Sequence, residues 1–392
     1  MSPIDIMTFH LSPLIKKYKN FKKQSYNHFI LGGDIGGTNT RLALFGINQG
    51  SAKSKPQLLI SFNFQSNKLN SLSEAINTVL NHVYNKYKIK VTTASIAAAG
   101  PLSIDKNSVK ATNLKWNVDK DELYKKTKLK GIILLNDFES IGYGINMLEK
   151  QDIKVIKKGN KIPKAPIILI GAGTGLGKST LIYDKHSMSY MPIPSEAGHS
   201  DFPVKNKEEF ELMYHVKNRE KLNFVSYEHL LSGHGLSDIY LFLRKQRKFK
   251  ETKYTKSIDN SNQKPEIISK YRNVDNTCKA TFEIFKEYYA RFAKNCALDS
   301  LAYGGVYITG KIAVNNSNIF DPKFVQYFEQ NYKLAYILKK IPIYLILNYN
   351  VGLLGAAFAY HIKSLELWQL INIYVSGFFK SFHTPINHKF IY

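Results

Sequence analysis

Two stretches of the chain place a glycine-rich turn between two apolar runs. The first reads Phe29-Ile-Leu-Gly-Gly33-Asp34-Ile35-Gly36-Gly37-Thr38-Asn39-Thr-Arg41-Leu-Ala-Leu-Phe45. The second reads Pro166-Ile-Ile-Leu-Ile-Gly171-Ala-Gly173-Thr174-Gly175-Leu-Gly177-Lys178-Ser-Thr-Leu-Ile-Tyr183. Each predicts strand, tight turn, strand, because β-branched and large apolar residues flank a turn that glycine alone tolerates. Such a turn lets backbone N–H groups approach phosphate oxygens with no Cβ in the way. Two of them in one chain point to two lobes closing on one polyphosphate, a nucleotide clamp. Asp34 begins the first turn, and a carboxylate beside phosphate oxygens is tolerated when Mg2+ lies between them. It is assigned to the metal–water shell. Thr38 and Asn39 would hold phosphate oxygens through side chain and backbone, while Arg41 either adds positive charge or closes a salt bridge across the hairpin.

Further acids stand where chemistry is possible. Asn136-Asp137 follows the apolar run Gly131–Leu135, at the carboxyl end of a strand, where the functional side chains of α/β sheets gather. Asp137 could take the proton of an attacking hydroxyl, or cap a helix beginning at Phe138. Glu196 and His199 lie in a loop rich in Pro, Ser and Gly, behind Pro192 and Pro194. His199 taken alone also suits a buried structural histidine. Glu228, just after Ser226, also suits the acidic first turn of a helix.

These groups need elements to hold them. Leu58–Phe64 predicts a strand, and Leu72–Tyr87 a helix with Leu72, Ala75, Ile76, Val79, Leu80 and Val83 on one face. Val91–Ala99 predicts a buried strand that ends at Gly100-Pro101. Strands alternating with helices predict an α/β domain with a mixed or parallel sheet. Between Met147 and Pro166 the chain turns polar, which predicts an interdomain hinge. Thr281–Leu301 predicts a helix carrying Phe282, Phe285, Tyr289, Phe292 and Cys296; Gly305–Thr309 and Pro342–Leu347 predict strands, and a small-residue helix starts at Val351. The basic cluster from Arg244 to Lys256, running into the polar stretch Asp259–Lys264, predicts an exposed loop. In the tail from His361 to Tyr392, Trp368, Ile371, Val375 and Phe379 could form one helical stripe, read as packing rather than membrane attachment.

Composition narrows the class. A chain of 392 residues is long for one core, so two lobes are expected. A hydrophobic content of 44% and an aromatic content of 13% exclude a disordered chain. Cys278 and Cys296 form no CxxC or Cys/His cluster, so neither a disulfide framework nor a zinc site is expected, and a reducing cytoplasm fits. Lys+Arg of 55 against Asp+Glu of 30 gives a net charge of +25. That charge attracts anions, but lysines spread over solvated surface without a nucleic-acid motif are the better reading, so no nucleic-acid partner is expected. No window is apolar enough to span a bilayer, and no membrane association is expected. In the leader 1–28 the lysines follow the short apolar run, the wrong order for a secretory signal.

Several motifs occur in a telling order: Gly33-Asp34-Ile-Gly-Gly-Thr38-Asn39-Thr-Arg41, Thr112-Asn113-Leu-Lys-Trp116, Asn136-Asp137-Phe138, Gly171-Ala-Gly-Thr-Gly-Leu-Gly177, Ser195-Glu196-Ala-Gly-His199 and Val225-Ser-Tyr-Glu228-His-Leu-Leu-Ser-Gly233. With them the chain resembles bacterial-type glucokinase from about Ile30 to Tyr360, within the superfamily of sugar kinases, actin and the heat-shock chaperone ATPase domain. The resemblance implies an α/β, two-lobed actin-like ATPase (ribonuclease H-like) fold with a small and a large domain around a cleft. It divides the chain into a leader 1–28, a small domain 29–147, a large domain 148–340, a return to the small domain over 341–360 and a C-terminal extension 361–392. It also implies ATP and Mg2+ as cofactors, glucose as acceptor and a cytoplasmic homodimer.

At residue level the resemblance makes Asp137 the general base. Asn113, Asn136, Asp137, Glu196, His199 and Glu228 become the sugar ligands. A hydroxyl-reading site needs polar groups of this kind, because a hydrophobic pocket cannot tell one hydroxyl arrangement from another. Gly33, Asp34, Ile35, Gly36, Gly37, Thr38, Asn39, Gly173, Thr174, Gly175 and Gly310 fall on the nucleotide side, with Asp34 holding Mg2+ through water.

The chain also departs from the family pattern. Ser195 and Ala197 flank Glu196 where glycine is usual, and their Cβ atoms would narrow or tilt the sugar loop. Thr309-Gly310-Lys311 replaces a double glycine near the adenosine, and Asn350-Val351-Gly352 lacks the usual proline. Other readings compete. Ala172-Gly-Thr-Gly-Leu-Gly-Lys178-Ser179 satisfies a relaxed Walker A pattern, the mark of a P-loop NTPase, but that motif needs a helix after its Lys-Ser pair and Ser179–Tyr183 is β-prone. A kinase for another hexose and a sugar-responsive regulator on the same fold complete the alternatives. Such regulators commonly lose the base or carry a DNA-binding module, whereas Asp137 is kept and the leader shows no helix-turn-helix pattern. A chain from Asn27 to His361 is expected to retain the whole active site.

Overall fold

A computed structural model of the protein describes residues 12–18, 20–48, 54–111 and 114–365. They form two compact units. Of the described residues, the first takes those up to Met147, Asp184–Ser189 and 350–365; the second takes Leu148–Tyr183 and Tyr190–Tyr349.

The first unit runs β1 (Leu14–Lys17), β2 (His28–Ile35), β3 (Asn39–Ile47), β4 (Gln57–Gln65), α1 (Leu72–Tyr87), β5 (Thr93–Ala98), β6 (Ser108–Val109), β7 (Val118–Asp119), α2 (Lys120–Lys126), β8 (Gly131–Asn136) and α3 (Asp137–Gly144). Its main sheet has the order β1-β4-β3-β2-β5-β8. β1 to β4 pair antiparallel, whereas β2–β5 and β5–β8 are parallel. The apolar run of β2 follows from burial on both faces. Phe29, Leu31 and Ile35 join the α1 residues Leu72, Ile76 and Val79 in one core, and Ile30 joins Ala43, Phe45 and Ile47 in another. Helix α1 starts where Ser71 accepts the Glu74 N–H and ends at Lys88 in the left-handed region.

The second unit runs β9 (Ile153–Lys157), β10 (Ile167–Ala172), β11 (Leu176–Asp184), β12 (Ser189–Ser195), α4 (Lys207–Glu220), α5 (Tyr227–Leu230), α6 (Gly233–Lys245), α7 (Thr255–Asp259), α8 (Lys264–Tyr271), α9 (Asn276–Asp299), β13 (Gly305–Thr309), α10 (Lys311–Asn315), α11 (Pro322–Glu329), α12 (Ala335–Lys340) and β14 (Ile343–Ile346). Its sheet has the order β12-β11-β10-β13-β14-β9. The plan repeats that of the first unit: an antiparallel hairpin, β10–β11, followed by parallel neighbours β13 and β14. Phe282, Phe285, Tyr289 and Phe292 of α9 supply the aromatic centre of its core.

Helix α13, the last among the described residues, spans 351–365 and returns to the first unit. Its Leu353 and Ala357 cover Ile30, Ala43 and Phe45. Ser140 of α3 donates to the Gly352 carbonyl at 2.7 Å, and Gly355 lies so close to the Ser140 carbonyl that a Cβ there would overlap it.

Several expectations change. The polar segment 147–166 is not a plain hinge, because it contains β9, paired antiparallel with β14. The return to the first unit starts at Asn350, not at 341, since β14 is hydrogen-bonded between β13 and β9 of the second sheet. The stretch after Arg244 is not one exposed loop, for it holds α7 and α8, tied down by Arg244 pairing with Glu251 at 2.6 Å and Asp259 at 3.2 Å. The leader is not wholly an extension: β1 extends the sheet beyond β4, and the Tyr26 ring occupies the space beside Gly46. Nor does the fold stop at 360, because His361 and Ile362 are buried in α13. Trp368, Ile371, Val375 and Phe379 lie outside the described residues.

Candidate active site

The hairpin β2–β3 carries the first glycine turn, closed by the Gly36 N–H donating to the Asn39 carbonyl at 2.9 Å. Ser66, buried directly after β4, holds this turn from behind. Its N–H donates to the Thr38 carbonyl at 3.0 Å, its hydroxyl donates to the Gly36 carbonyl at 2.7 Å, and Thr40 Oγ1 lies 2.9 Å from that hydroxyl. Nothing in the spacing of the sequence marked Ser66. Asp34 faces Arg41 in register across the hairpin, and the two side chains form an ion pair; the cross-hairpin salt bridge is thus the arrangement Arg41 adopts. Asp34 Oδ2 also lies 3.3 Å from the Cβ position of Gly352, in the first turn of α13. Gly33 leaves room for Ile96 Cδ1, a packing role, and the Ile35 side chain is buried in the core, so only backbone of these two residues is left to meet a ligand.

Register carries the turn to a second group. Ile35 pairs with Ala98, and Ala98 with Asn136, so the glycine turn and Asn136-Asp137 leave the sheet at the same edge. Two strand spacings separate them, about 10 Å. Helix α3 begins at Asp137, not Phe138, and Asn136 is its cap. Asn136 Oδ1 accepts the Phe138 N–H at 2.8 Å, its Nδ2 donates to the Gly100 carbonyl at 3.2 Å, and Asp137 Oδ1 also lies 2.9 Å from the Phe138 N–H. Asp137 is half-buried. Asn113 lies outside the described residues.

In the second unit the β10–β11 turn is closed by Gly173 N–H to the Gly175 carbonyl at 2.8 Å, and anchored by Gly233 N–H to the Gly173 carbonyl at 2.9 Å. Thr174 is exposed at its tip. Three of the expected sugar ligands gather beside it. Glu228 Oε2 accepts the Leu176 N–H at 2.7 Å. His199 sits between two acids, Nε2 at 3.8 Å from Glu196 and Nδ1 at 3.8 Å from Glu228. Those separations are ion-pair range and longer than hydrogen bonds. The His199 side chain is 57% exposed, which rules out the buried structural histidine, and Glu196 is 81% exposed. Glu228 does occupy the first turn of α5, after the Ser226 cap.

His229, which sequence reasoning passed over, accepts the Ser226 N–H on Nδ1 at 3.0 Å and so fixes the start of that helix. Burial lowers its pKa below the usual histidine value. The side chains at 195 and 197 fit their loop: Ser195 Oγ accepts the Ala197 N–H at 3.2 Å, and no residue of 195–197 has a positive φ. Gly310 does, with φ of 99°, and a Cβ on it would meet the Ala172 carbonyl at 2.6 Å. Thr309 pairs beside Gly171, so Gly310 and the second turn share an edge as well.

A family model for glucokinase matches residues 31–363. The chain belongs to the glucokinase family. The curated glucokinase of Nostoc sp. is 34% identical over 347 residues, covering 84% of this chain and 97% of that protein. The glucokinase of Nostoc punctiforme is 35% identical over 352 residues, with the same shares covered. Among solved structures, a glucokinase from an Antarctic psychrotroph matches with a TM-score of 0.71 at 27% identity, covering 85% of this chain and 98% of that one. Glucokinase membership leaves no place for the P-loop reading, and local structure agrees. Lys178 and Ser179 lie inside β11, where Lys178 pairs with Asp299 at 3.6 Å and Ser179 Oγ donates to the Ile193 carbonyl at 3.0 Å. A P-loop would open a helix at that point.

Proposed function

We propose that the protein is an ATP-dependent glucokinase, on the two-lobed actin-like fold, that transfers the γ-phosphoryl group of ATP to the 6-hydroxyl of glucose, giving glucose 6-phosphate and ADP. The observation that carries this reading is the gathering of Glu196, His199 and Glu228 against a glycine turn, in a chain whose family match spans both units.

In this reading Asn113, Asn136, Glu196, His199 and Glu228 hydrogen-bond the sugar hydroxyls. Asp137 accepts the proton of the 6-hydroxyl as its oxygen bonds to phosphorus and the bond to the bridging oxygen of ADP breaks. The turns at Gly36–Asn39 and Gly173–Thr174 take the phosphates through backbone N–H groups, and Gly310 lies toward the adenosine. Phosphoryl transfer depends mainly on positioning and charge stabilisation, so the substrate pair must be held with water excluded, or ATP would be hydrolysed. Asp34 fits Mg2+: the ion keeps most of its waters and takes few protein carboxylates, and Asp34 offers one carboxylate at the entrance of the turn, oriented by Arg41. Bound there, Mg2+ would offset the charge on the phosphate oxygens. A homodimer completes the reading, to be checked by light scattering.

The test is a coupled assay of the purified protein with ATP across the common hexoses. Glucose phosphorylation is expected, and failure to phosphorylate any hexose would overturn the assignment.

A further inference from the structure

Gly173 and Gly175 belong to one turn, yet their surroundings are opposite. Nothing lies within 4 Å of the position a Cβ on Gly173 would take. A Cβ on Gly175 would stand 3.1 Å from Glu228 Cδ and nearer still to Oε2. That oxygen accepts the Leu176 N–H at 2.7 Å. The carbonyl of Leu176 in turn lies where a Cβ on Gly198 would be, in the loop between Glu196 and His199. The far half of the turn is therefore enclosed by the sugar loop and by Glu228, and only the near half, Gly173-Thr174, stands open.

We infer that Gly175 and the Leu176 amide are positioning residues for Glu228, and that this half of the turn serves hexose recognition instead of phosphate binding. The inference rests on the reading of Glu228 as a hexose ligand. A glutamate has several rotamers, and holding it in one before the sugar arrives removes an entropy loss from binding. With Oε2 taken by the amide, Oε1 is the oxygen left facing His199 and a hydroxyl. Gly175 is required because the carboxylate must lie flat against the backbone to reach the amide. Its replacement by alanine meets the end of a flexible side chain, not backbone, so the fold can survive while Glu228 is pushed away.

Gly175→Ala and Gly173→Ala separate the two halves. Gly175→Ala is expected to raise the KM for glucose about ten-fold or more, the scale of a charge-assisted hydrogen bond, with the KM for ATP within about two-fold of the parent. Gly173→Ala is expected to act on the ATP constant instead. A Gly175→Ala enzyme whose ATP constant rises while the glucose constant stays, whose two constants rise equally, or whose constants do not move would overturn the inference. Should that variant fail to fold, the parent protein supplies the second test: glucose alone should slow hydrogen exchange at the Leu176 amide, and protection by ATP alone without any by glucose would overturn it. A parent protein that phosphorylates no hexose sinks the glucokinase reading itself, whereas an active parent with the opposite pattern of constants sinks only the role of Gly175.

Discussion

Asp137 stands in the first turn of α3 and at the carboxyl edge of its sheet, so helix support and the proton acceptance proposed for it fall on one side chain. Asp137→Asn separates them. Asparagine loses only the favourable charge of a first-turn acid, about 0.3–1 kcal/mol, so the unfolding midpoint should fall slightly while turnover falls roughly 10²–10⁴-fold and glucose binding persists. Steady-state kinetics beside calorimetry checks this, and turnover near the parent value would assign the proton to another group. The histidines make a second expectation. Burial lowers the pKa of His28, His215, His229 and His361 below the ordinary 6.5. Each takes up a proton less readily in the fold than in the unfolded chain, so as pH falls below that value the unfolded state binds more protons and stability declines with acidification. Urea unfolding at neutral pH and near pH 5 should show a lower midpoint at the acid value, with less of a drop once His361 is replaced by an aliphatic residue. At this scale much was legible, because Asp34, Glu196 and His199 sit in turns whose glycines and prolines announce them. Ser66 was not, since its partners Gly36 and Thr38 are brought in by folding and it lies in no motif. His229 was not, since inside the Val225–Gly233 motif it caps a helix start three residues away and the motif's chemistry points to Glu228.

Elements decide how firmly those residues are held. Ser66 joins the end of β4 to the first glycine turn through a backbone and a side-chain bond. Ser66→Ala keeps the first and removes the second, leaving the Thr40 hydroxyl, itself buried, without its serine partner. A lost buried hydrogen bond costs about 1–3 kcal/mol, so the unfolding midpoint should fall, and the loosened turn should raise the KM for ATP several-fold with the glucose constant little changed. Titrating each substrate against saturating partner measures the split; a rise confined to glucose would show that Ser66 does not govern the phosphate turn. Helix α1 was predictable to its ends, because its apolar stripe and Ser71 cap agree. Helices α7 and α8 were hidden by a Ser-, Asn- and Gln-rich sequence in which Ile258 and Ile268 supply most of the burial. Strand β9 was hidden for a different reason. It is an edge strand, where lysines are favoured, and its buried Lys157 is compensated by the carbonyls of Leu338, Lys339 and Ile341 and by Glu329 at 3.2 Å.

For the whole molecule, the limits of the fold are wider than the motifs suggested. Cutting at Asn27 removes β1 and the Tyr26 ring beside Gly46, and cutting after His361 removes the last described turn of α13 with the buried Ile362. A chain of residues 12–365 should therefore melt at a higher temperature than one of residues 27–361, by roughly 2–4 °C per kcal/mol of packing retained. Scanning calorimetry of the two decides it, and equal melting points would show that both ends are dispensable. The repeated sheet plan was only half legible. Both hairpins could be read from their glycines, but the parallel placement of β5, β8, β13 and β14 is set by long-range pairing that no local pattern states.

Helix α13 also gives the protein a schedule. The strands carrying Ile30, Ala43, Phe45 and Ile47 are synthesised early, and Leu353 and Ala357, which cover them, come near the end. At about 5–20 residues per second, a ribosome needs on the order of tens of seconds to travel between the two. During that interval the second unit can finish folding, since all its residues precede Asn350, while the first unit waits with one apolar face of its sheet bare. The nascent chain is thus most exposed to misassociation just before α13 emerges, and a chaperone that shields β2 and β3 would act in that window.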